Sequence, residues 1–406
     1  MPISSSGRLP TLFLAAAVAC LTPGCTLDWI TENAPDVSYA AVTTGNQFAC
    51  GLTLEGDVYC WRAELPRPQR VSEGTRFQSI STFLTHTCGL DEAGIAYCWG
   101  LNTFGQLGTM ETLDRCLVSG NGVTASCARG PVAVETSLRF SAIQTGGNHT
   151  CALTDTGEAY CWGLNISGQL GTTAELMCDH QEAPEGFSCT PRPVAVDGPT
   201  FTSLSTGNAH TCGIAADGRG YCWGSGGSGR LGTGTTDNAA TPALVAGDLT
   251  FQQLSAGGSH TCAIAADGSA YCWGSNADLQ VGNKETERAC GYQLTRCFTT
   301  PQRLAGARRY VAIAASDAPL GSGTPLGGHT CALTAEGRVF CWGLNEAGQL
   351  GGGSQLRSAI PLELHIEETL SSISAGRFNT CGVTDSRSVV CWNFGSPLET
   401  WKVPVS

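Results

Sequence analysis

The stretch Cys262-Ala-Ile-Ala-Ala-Asp-Gly-Ser-Ala-Tyr-Cys272 decides the fold of this 406-residue chain. Pairing its two cysteines across a hairpin leaves a three-residue loop that ends in Gly268, where a positive φ is required. The cysteines then lie opposite each other on neighbouring strands, close enough for a disulfide. The same spacing of ten, with a tryptophan after the second cysteine, occurs seven times: Cys50 with Cys60, Cys88 with Cys98, Cys151 with Cys161, Cys212 with Cys222, Cys262 with Cys272, Cys331 with Cys341 and Cys381 with Cys391.

Self-similarity at this period predicts a repeat architecture with one hairpin in each of seven units. In six units the hairpin register puts glycine at the loop position, at Gly56, Gly94, Gly157, Gly218, Gly268 and Gly337. The seventh hairpin has Arg387 there, and we expect this residue to be strained.

Two further strands complete each unit. One begins with an aromatic residue and is expected at residues 77–80, 140–143, 201–204, 251–254 and 310–313. The other begins with proline and is expected at residues 68–71, 131–134, 193–196, 242–245, 301–304 and 361–364. Because proline cannot donate to a sheet ladder, the second should be the outermost strand. Four short antiparallel strands repeated around an axis predict an all-β, seven-bladed propeller of four-stranded blades.

Closure of the ring is expected to involve the C-terminus. Seven hairpins have only six internal proline strands, and the missing one stands at the end, as Val403-Pro404-Val405. The chain enters the first unit directly with a strand from Tyr39 to Thr43. We therefore predict that the C-terminal strand pairs with the N-terminal blade.

The charge balance argues against nucleic acid as a partner. The chain has 22 Lys and Arg against 34 Asp and Glu, a net charge of −12, and no basic run. Phosphate-backbone binding needs basic residues grouped on one face. Twenty-two cysteines are also too many for a reducing compartment unless they bind metal, so we expect an exported, disulfide-bonded protein.

The N-terminus agrees with export. Arg8 and an apolar stretch from Leu9 to Leu21 indicate a signal peptide over residues 1–24, too short to span a bilayer after maturation. Gly24 before Cys25 resembles a bacterial lipoprotein cleavage box, which makes Cys25 the lipidated first residue. A tether at 25–37 and a propeller at 38–406 would follow. Cys20 is a rival anchor, and ordinary secretion is the alternative to lipidation.

Cysteine arithmetic favours Cys25. With Cys20 removed in the signal peptide, twenty cysteines remain beyond Cys25, and fourteen of them form the hairpin pairs. The other six fall into three close pairs, Cys116 with Cys127, Cys178 with Cys189 and Cys290 with Cys297. If Cys20 were the anchor, Cys25 would have no partner.

Several recurring motifs carry a family resemblance. His149-Thr-Cys-Ala-Leu-Thr, Tyr160-Cys-Trp-Gly-Leu-Asn and Gly168-Gln-Leu-Gly171 resemble the regulator of chromosome condensation repeat, and related segments recur from His329 to Gly351. The resemblance covers roughly residues 38–406 and implies a seven-bladed propeller. It also implies, as one alternative, guanine-nucleotide exchange on a small nuclear GTPase with chromatin binding, which export, disulfides and acidity oppose. A bacterial β-lactamase inhibitor protein resembles the same fold, so a secreted enzyme inhibitor is another alternative.

The repeated histidines and tryptophans are interpreted as structural. Five units carry histidine two places before the first cysteine, at His86, His149, His210, His260 and His329. Zinc sites gather their ligands at one point, whereas these lie in different blades. The chain has no Gly-x-Ser-x-Gly elbow, phosphate loop or His-Glu-x-x-His helix, so we expect no catalytic residues, no metal and no cofactor. A hydrolase or lyase that uses the axial funnel stays an alternative.

Function is expected where the repeat is interrupted. Insertions at 109–130, 172–190 and 283–300 follow the same point of the repeat, and each holds its own cysteine pair. A fourth, at 316–328, lies elsewhere in its unit. Stapled loops on a rigid scaffold can form a binding surface. We therefore predict a monomeric, non-enzymatic, lipid-anchored envelope protein that binds a protein or envelope component through candidate residues Arg115, Asp179, His180, Phe187, Arg288, Tyr292 and Arg296.

Overall fold

Seven antiparallel sheets follow one another along the chain in the computed structural model. The structure describes residues 37–46, 48–62, 65–71, 74–110, 114–117, 124–178, 187–284, 289–290, 295–316, 328–351, 355–392 and 401–402. The first strands of all seven sheets line one central cavity, so the sheets are the blades of a ring. The predicted all-β, seven-bladed propeller is confirmed.

Five blades have four described strands. The first contains β1 (Tyr39–Thr44), β2 (Phe48–Thr53), β3 (Val58–Arg62) and β4 (Leu65–Arg70). The third contains β10 (Ala142–Thr145), β11 (His149–Leu153), β12 (Ala159–Leu164) and β13 (Cys189–Ala195). The fourth contains β14 (Phe201–Thr206), β15 (His210–Ala215), β16 (Gly220–Gly224) and β17 (Ala239–Leu244). The sixth contains β23 (Ala312–Ala315), β24 (His329–Leu333), β25 (Val339–Leu344) and β26 (Arg357–Leu364). The seventh contains β27 (Leu370–Ala375), β28 (Thr380–Thr384), β29 (Val389–Trp392) and β30 (Trp401–Lys402).

Two blades have a fifth strand at their outer edge, which the sequence did not predict. The second blade contains β5 (Phe77–Phe83), β6 (His86–Asp91), β7 (Ala96–Leu101), β8 (Asp114–Leu117) and β9 (Thr124–Ala133), in the order β5-β6-β7-β9-β8. The fifth contains β18 (Phe251–Ala256), β19 (His260–Ala265), β20 (Ala270–Ser275), β21 (Ala289–Cys290) and β22 (Thr295–Arg303), in the order β18-β19-β20-β22-β21. Strand β8 pairs only with residues 124–127 of β9. Pro131 lies further along β9, where no described strand pairs with its outer edge, so the N–H that proline lacks is not needed for a hydrogen bond.

The hairpin register is the one that the cysteine spacing predicts. Cys262 lies opposite Cys272, and the N–H of Gly268 closes the turn on the carbonyl of Ala265 at 2.8 Å. Gly268 has φ +79°, and the other five loop glycines are also positive. Arg387 has φ +66° at the seventh turn, which confirms the expected strain.

Each hairpin is closed by a disulfide between its two strands. The Cα–Cα separations are 4.0–4.1 Å, close to those of a non-hydrogen-bonded antiparallel pair. The bonds join Cys50 to Cys60, Cys88 to Cys98, Cys151 to Cys161, Cys212 to Cys222, Cys262 to Cys272, Cys331 to Cys341 and Cys381 to Cys391. The second cysteine of six pairs is fully buried, whereas Cys60 in the first blade is only half-buried. The structure thus has one cross-strand staple in every blade.

The predicted ring closure through the C-terminal strand is not confirmed. Trp401 pairs with Cys391 and Lys402 with Val390, so the described part of the C-terminal strand belongs to the seventh blade. The physical reason is that β4 already covers the outer edge of the first blade, whereas β29 offers an open edge. Residues 403–405, which the prediction named, lie outside the described part of the chain.

The first and seventh blades instead close the ring by packing. Tyr39, Val42, Ala49 and Trp61 of the first blade form one buried cluster with residues of the seventh, Cys381, Val383, Val389 and Cys391. Across the same junction the hydroxyl groups of Thr44 and Ser374 are hydrogen-bonded at 2.8 Å.

Candidate binding face

All four insertions leave the blades at one end of the ring. In an antiparallel sheet the loops after the first and third strands share one end, and the loop after the second lies at the other. The stapled insertions follow the third strands β7, β12 and β20, and the fourth insertion follows the first strand β23. Its last residue, Gly328, accepts a hydrogen bond of 2.9 Å from Leu344 N at the end of the third strand β25. We call this end of the blades the insertion face and the opposite end the hairpin face.

Disulfides join each stapled insertion to the outer strand of its blade. Cys116 of β8 is bonded to Cys127 of β9, and Cys290 of β21 to Cys297 of β22. Cys178 is bonded to Cys189 at the start of β13. The predicted insertions are therefore extensions of the sheet edge, not independent loops, in the second and fifth blades.

The three predicted contact residues that the structure describes lie in three different blades. Arg115 is exposed, but its guanidinium is hydrogen-bonded to Thr124 across the β8–β9 hairpin at 3.0 Å. Arg296 is exposed beside the short strand β21. Phe187 is half-buried and stacks on Phe104 of the preceding blade, with ring centroids 6.0 Å apart. The remaining four candidates lie outside the described residues: Asp179, His180, Arg288 and Tyr292.

Phe104 directly precedes the turn Gly105-Gln-Leu-Gly108, and its ring contacts the next blade. The equivalent residue in the fifth blade is Asp278, whose carboxylate lies 3.2 Å from the guanidinium of Arg357 in the sixth blade. Burial raises the pKa of Asp278, and Arg357 opposes that shift. The same turn position thus makes an aromatic contact at one junction between blades and an ion pair at another. Phe187 therefore takes part in packing between blades.

A pocket on the insertion face is the feature that sequence reasoning missed. Its volume is about 260 Å³, and its lining includes Met110, Leu176 and Met177 with Glu175 and Arg192. Met110 is 41% and Met177 is 77% exposed. A sequence signal existed, because these are the only methionines after residue 1 and both fall within the predicted insertions. Thioether side chains adapt to varied apolar surfaces, which suits a protein-binding pocket.

The five repeated histidines bridge neighbouring blades. His149 Nε2 lies 3.0 Å from Thr211 Oγ1 of the next blade. Equivalent contacts of 2.7–3.0 Å join His86 to Thr150, His210 to Thr261, His260 to Thr330 and His329 to Thr380. Burial lowers the pKa of His86, His149, His260 and His329 to about 3, and it lowers the pKa of His210 well below its usual value.

The tautomer of these histidines follows from the threonine. Thr150 donates its single hydroxyl hydrogen to the carbonyl of Gln106 at 2.9 Å, so its oxygen must accept from His86 Nε2–H. Because burial lowers the pKa of His86 to about 3, the ring is neutral, so its proton is on Nε2 and Nδ1 has a lone pair. The carbonyl of Gln106 also accepts from Trp162 Nε1 at 3.0 Å, so one backbone oxygen joins two side chains of the next blade.

The axial cavity is lined by neutral groups that hold the inner strands together. Its volume is about 310 Å³, and hydroxyl and amide side chains predominate among the described residues of its lining, none of which is charged. Ser255 Oγ accepts a 2.9 Å hydrogen bond from Ala315 N of the next blade, and Ser205 does the same for Ala256. Thr145 N donates to Ser81 Oγ at 3.0 Å. These hydroxyls therefore serve as connections between blades.

No group of three or more His, Cys, Asp or Glu side chains among the described residues is placed to hold a metal ion. The same part of the chain includes no helix with the length and apolar character needed to cross a bilayer.

Two family models match the repeat itself. Both describe the regulator of chromosome condensation (RCC1) repeat; one matches residues 93–153, 156–214 and 217–264, and the other 140–169, 251–280 and 327–349. The chain belongs to the RCC1 repeat family. The resemblance predicted from the motifs is thereby confirmed, and its blade count agrees with the structure.

Curated relatives in this family are larger proteins. The chain is similar to the ultraviolet-B receptor UVR8 of Arabidopsis thaliana, with 26% identity over 66% of this chain and 56% of UVR8. It is also similar to the probable E3 ubiquitin-protein ligase HERC4 of Homo sapiens, with 28% identity over 52% of this chain and 20% of HERC4. The chain thus spans just over half of one relative and a fifth of the other.

Solved structures share the fold. Prp20p of Saccharomyces cerevisiae, a protein studied for its binding to Gsp1p and histones, matches with a TM-score of 0.66 and 17% identity over 83% of this chain and 80% of Prp20p. The ectodomain of the Arabidopsis thaliana receptor kinase ACR4 matches with a TM-score of 0.53 and 17% identity over 91% of this chain and all of the ectodomain. At these identities the likeness shows the fold alone.

Proposed function

We propose that this RCC1-repeat protein is an exported, non-enzymatic binding scaffold, anchored to a membrane by lipid on Cys25. Its partner is a protein or another envelope component, and the insertion face is the surface that binds it. The observation that carries the proposal is that all four insertions leave the blades at the same end. A propeller that only needed stability would have no reason to elaborate one face.

The pocket between the second and third blades is the proposed centre of this face. Met110 and Met177 are exposed there although the chain buries most of its large apolar residues. Leu117, 73% exposed on β8, adds apolar surface to the same insertion face. Exposed apolar groups rimmed by charges such as Glu175 and Arg192 are typical of protein interaction sites.

Site-specific photocrosslinking tests the choice of face. A photoreactive residue at Met177 should crosslink a discrete partner in the native envelope, whereas the same residue at Asp217 on the hairpin face should not. Both positions are exposed, so the two probes are equally accessible. Crosslinking from position 217 alone would show that the opposite face binds and would remove the insertions from the proposal.

Lipidation is tested separately. Metabolic labelling with a fatty-acid analogue should be lost in Cys25→Ala and kept in Cys20→Ala. Labelling that persists in Cys25→Ala would contradict the anchor without affecting the choice of binding face.

A further inference from the structure

Four arginines gather on the hairpin face where the fifth and sixth blades meet. Arg303 ends β22, Arg308 and Arg309 lie in the connection to β23, and Arg338 directly precedes β25. All four side chains are exposed. The concentration is unusual in a chain of net charge −12, and the sequence shows no basic run because the four residues come from three separate segments.

Two of the guanidinium groups converge on one oxygen atom. Arg303 Nη2 and Arg309 Nη1 both donate to Ser269 Oγ, at 3.1 and 3.0 Å. Ser269 gives its own hydroxyl hydrogen to Asp267 Oδ2 at 2.9 Å, so its oxygen can accept from both arginines. The two donor nitrogens therefore lie within about 6 Å of each other.

The other two guanidinium groups are held at one aromatic ring. The guanidinium carbon of Arg308 lies 3.8 Å from the centroid of Phe340, and that of Arg338 lies 5.5 Å from it. Arg308 also donates to the hydroxyl of Tyr310 at 3.4 Å. Contact with the ring restrains the Arg308 side chain, and a guanidinium held in this way keeps its ability to donate hydrogen bonds.

Carboxylates in the cluster do not balance its positive charge. Asp267 lies 3.6 Å from Arg309, and Glu363 accepts from Arg338 Nε at 2.7 Å. Among the described residues, no carboxylate lies within 4.0 Å of the guanidinium of Arg303 or of Arg308. Glu336 is hydrogen-bonded to Thr334 in the sixth hairpin and offsets part of the excess. The four arginines and the three carboxylates Asp267, Glu363 and Glu336 leave a formal excess of one positive charge.

We propose that this cluster binds a phosphate group, with Arg303, Arg308 and Arg309 as its ligands. A phosphate monoester carries about −1.5 to −2 charges at neutral pH, opposite in sign to the excess of the cluster. Guanidinium groups donate paired hydrogen bonds to such oxyanions. The phosphate can be free or part of a lipid headgroup, since both present the same oxygens. This site goes beyond the proposed partner-binding role of the insertion face.

Calorimetric titration of the full protein with inorganic phosphate tests the site. We expect saturable binding that potassium chloride at matched ionic strength does not reproduce. Arg303→Gln and Arg308→Gln should each weaken it at least about tenfold, because each removes charge-assisted hydrogen bonds. Asp267→Asn should strengthen it, because the variant removes the nearest competing anion.

Arg219→Gln is the matched control. Arg219 is also exposed on the hairpin face, but it is paired with Asp217 at 2.7 Å and belongs to the fourth blade, outside the cluster. Its variant should keep wild-type phosphate affinity. Equal weakening by all the arginine variants, or equal responses to phosphate and chloride, would overturn the site. Circular dichroism and free-thiol counts establish that each variant is folded.

Vesicle cosedimentation then assigns the source of the phosphate. Sedimentation of the wild-type protein with phosphatidylglycerol vesicles but not with phosphatidylcholine vesicles would indicate a lipid headgroup. The Arg308→Gln variant should then fail to sediment with phosphatidylglycerol vesicles. Phosphate binding in the titration without sedimentation would indicate a soluble phosphorylated ligand.

Discussion

The backbone N–H of Tyr39 donates a hydrogen bond of 2.8 Å to the carbonyl oxygen of Arg387, across the junction between the two ends of the ring. Every other junction has the same bond, from the first aromatic or apolar residue of a blade to the loop glycine of the preceding hairpin. The equivalent pairs are Phe77 with Gly56, Phe140 with Gly94, Phe201 with Gly157, Phe251 with Gly218, Tyr310 with Gly268 and Leu370 with Gly337. The ring thus closes by repeating a contact that needs no exchanged strand.

Arg387→Gly should raise the free energy of unfolding. A side chain at φ +66° costs about 1–2 kcal/mol, and glycine removes this cost. Because glycine also makes the unfolded chain more flexible, the net gain in the free energy of unfolding should be roughly 0.5–1 kcal/mol. The carbonyl that Tyr39 uses is unchanged. Thermal and denaturant unfolding measure the effect. Gly268→Ala, which introduces the same strain at φ +79°, should lower stability, and a gain there would contradict the explanation.

Stability should fall as the pH is lowered from about 6.5 toward 3. In this window the unfolded chain binds a proton on each buried histidine, whereas the folded chain does not, because burial lowers the folded pKa of four of them to about 3. The free energy of unfolding therefore drops by about 1.4 kcal/mol per pH unit for each histidine. Denaturant titrations at several pH values measure this slope.

His149→Asn should reduce that slope by the contribution of one group. Asparagine already stands at the equivalent position of the seventh blade, as Asn379. His365→Asn is the matched control for the loss of a histidine, because His365 is exposed on the hairpin face. A slope that His149→Asn does not alter would contradict the buried-histidine explanation.

A comparison of two tryptophans tests how much the indole hydrogen bond to the backbone carbonyl of the preceding blade contributes to stability. Trp162→Phe removes the 3.0 Å hydrogen bond to Gln106 O and should cost about 1–2 kcal/mol beyond the change of ring size. Trp61 is also buried, but its Nε1 has no hydrogen-bond partner among the described residues. Trp61→Phe should therefore cost less than Trp162→Phe in the same unfolding experiment. Equal losses would mean that ring packing alone decides stability.

The ten cysteine pairs predict a definite peptide map. Non-reducing digestion and mass spectrometry should recover seven hairpin pairs and three insertion pairs, with Cys25 outside every pair. Free thiols at most hairpin positions would contradict an oxidising compartment, while loss of a single insertion pair would not.

Sequence alone determined the repeating unit. A ten-residue cysteine spacing and a loop glycine such as Gly268 depend on local hairpin geometry, which neighbouring residues set by themselves. The structural role of the five histidines was predictable for a related reason, since equivalent positions in different blades cannot meet at one metal.

Only the tertiary structure decided what neighbouring blades do to each other. Phe187 looked like a free contact residue until its stacking on Phe104 was visible, and the C-terminal strand paired where an edge was open. Arg303 and Arg309 meet at Ser269 although more than thirty positions separate them from it. Such contacts depend on how separate segments approach in space, and no local spacing along the chain encodes that approach.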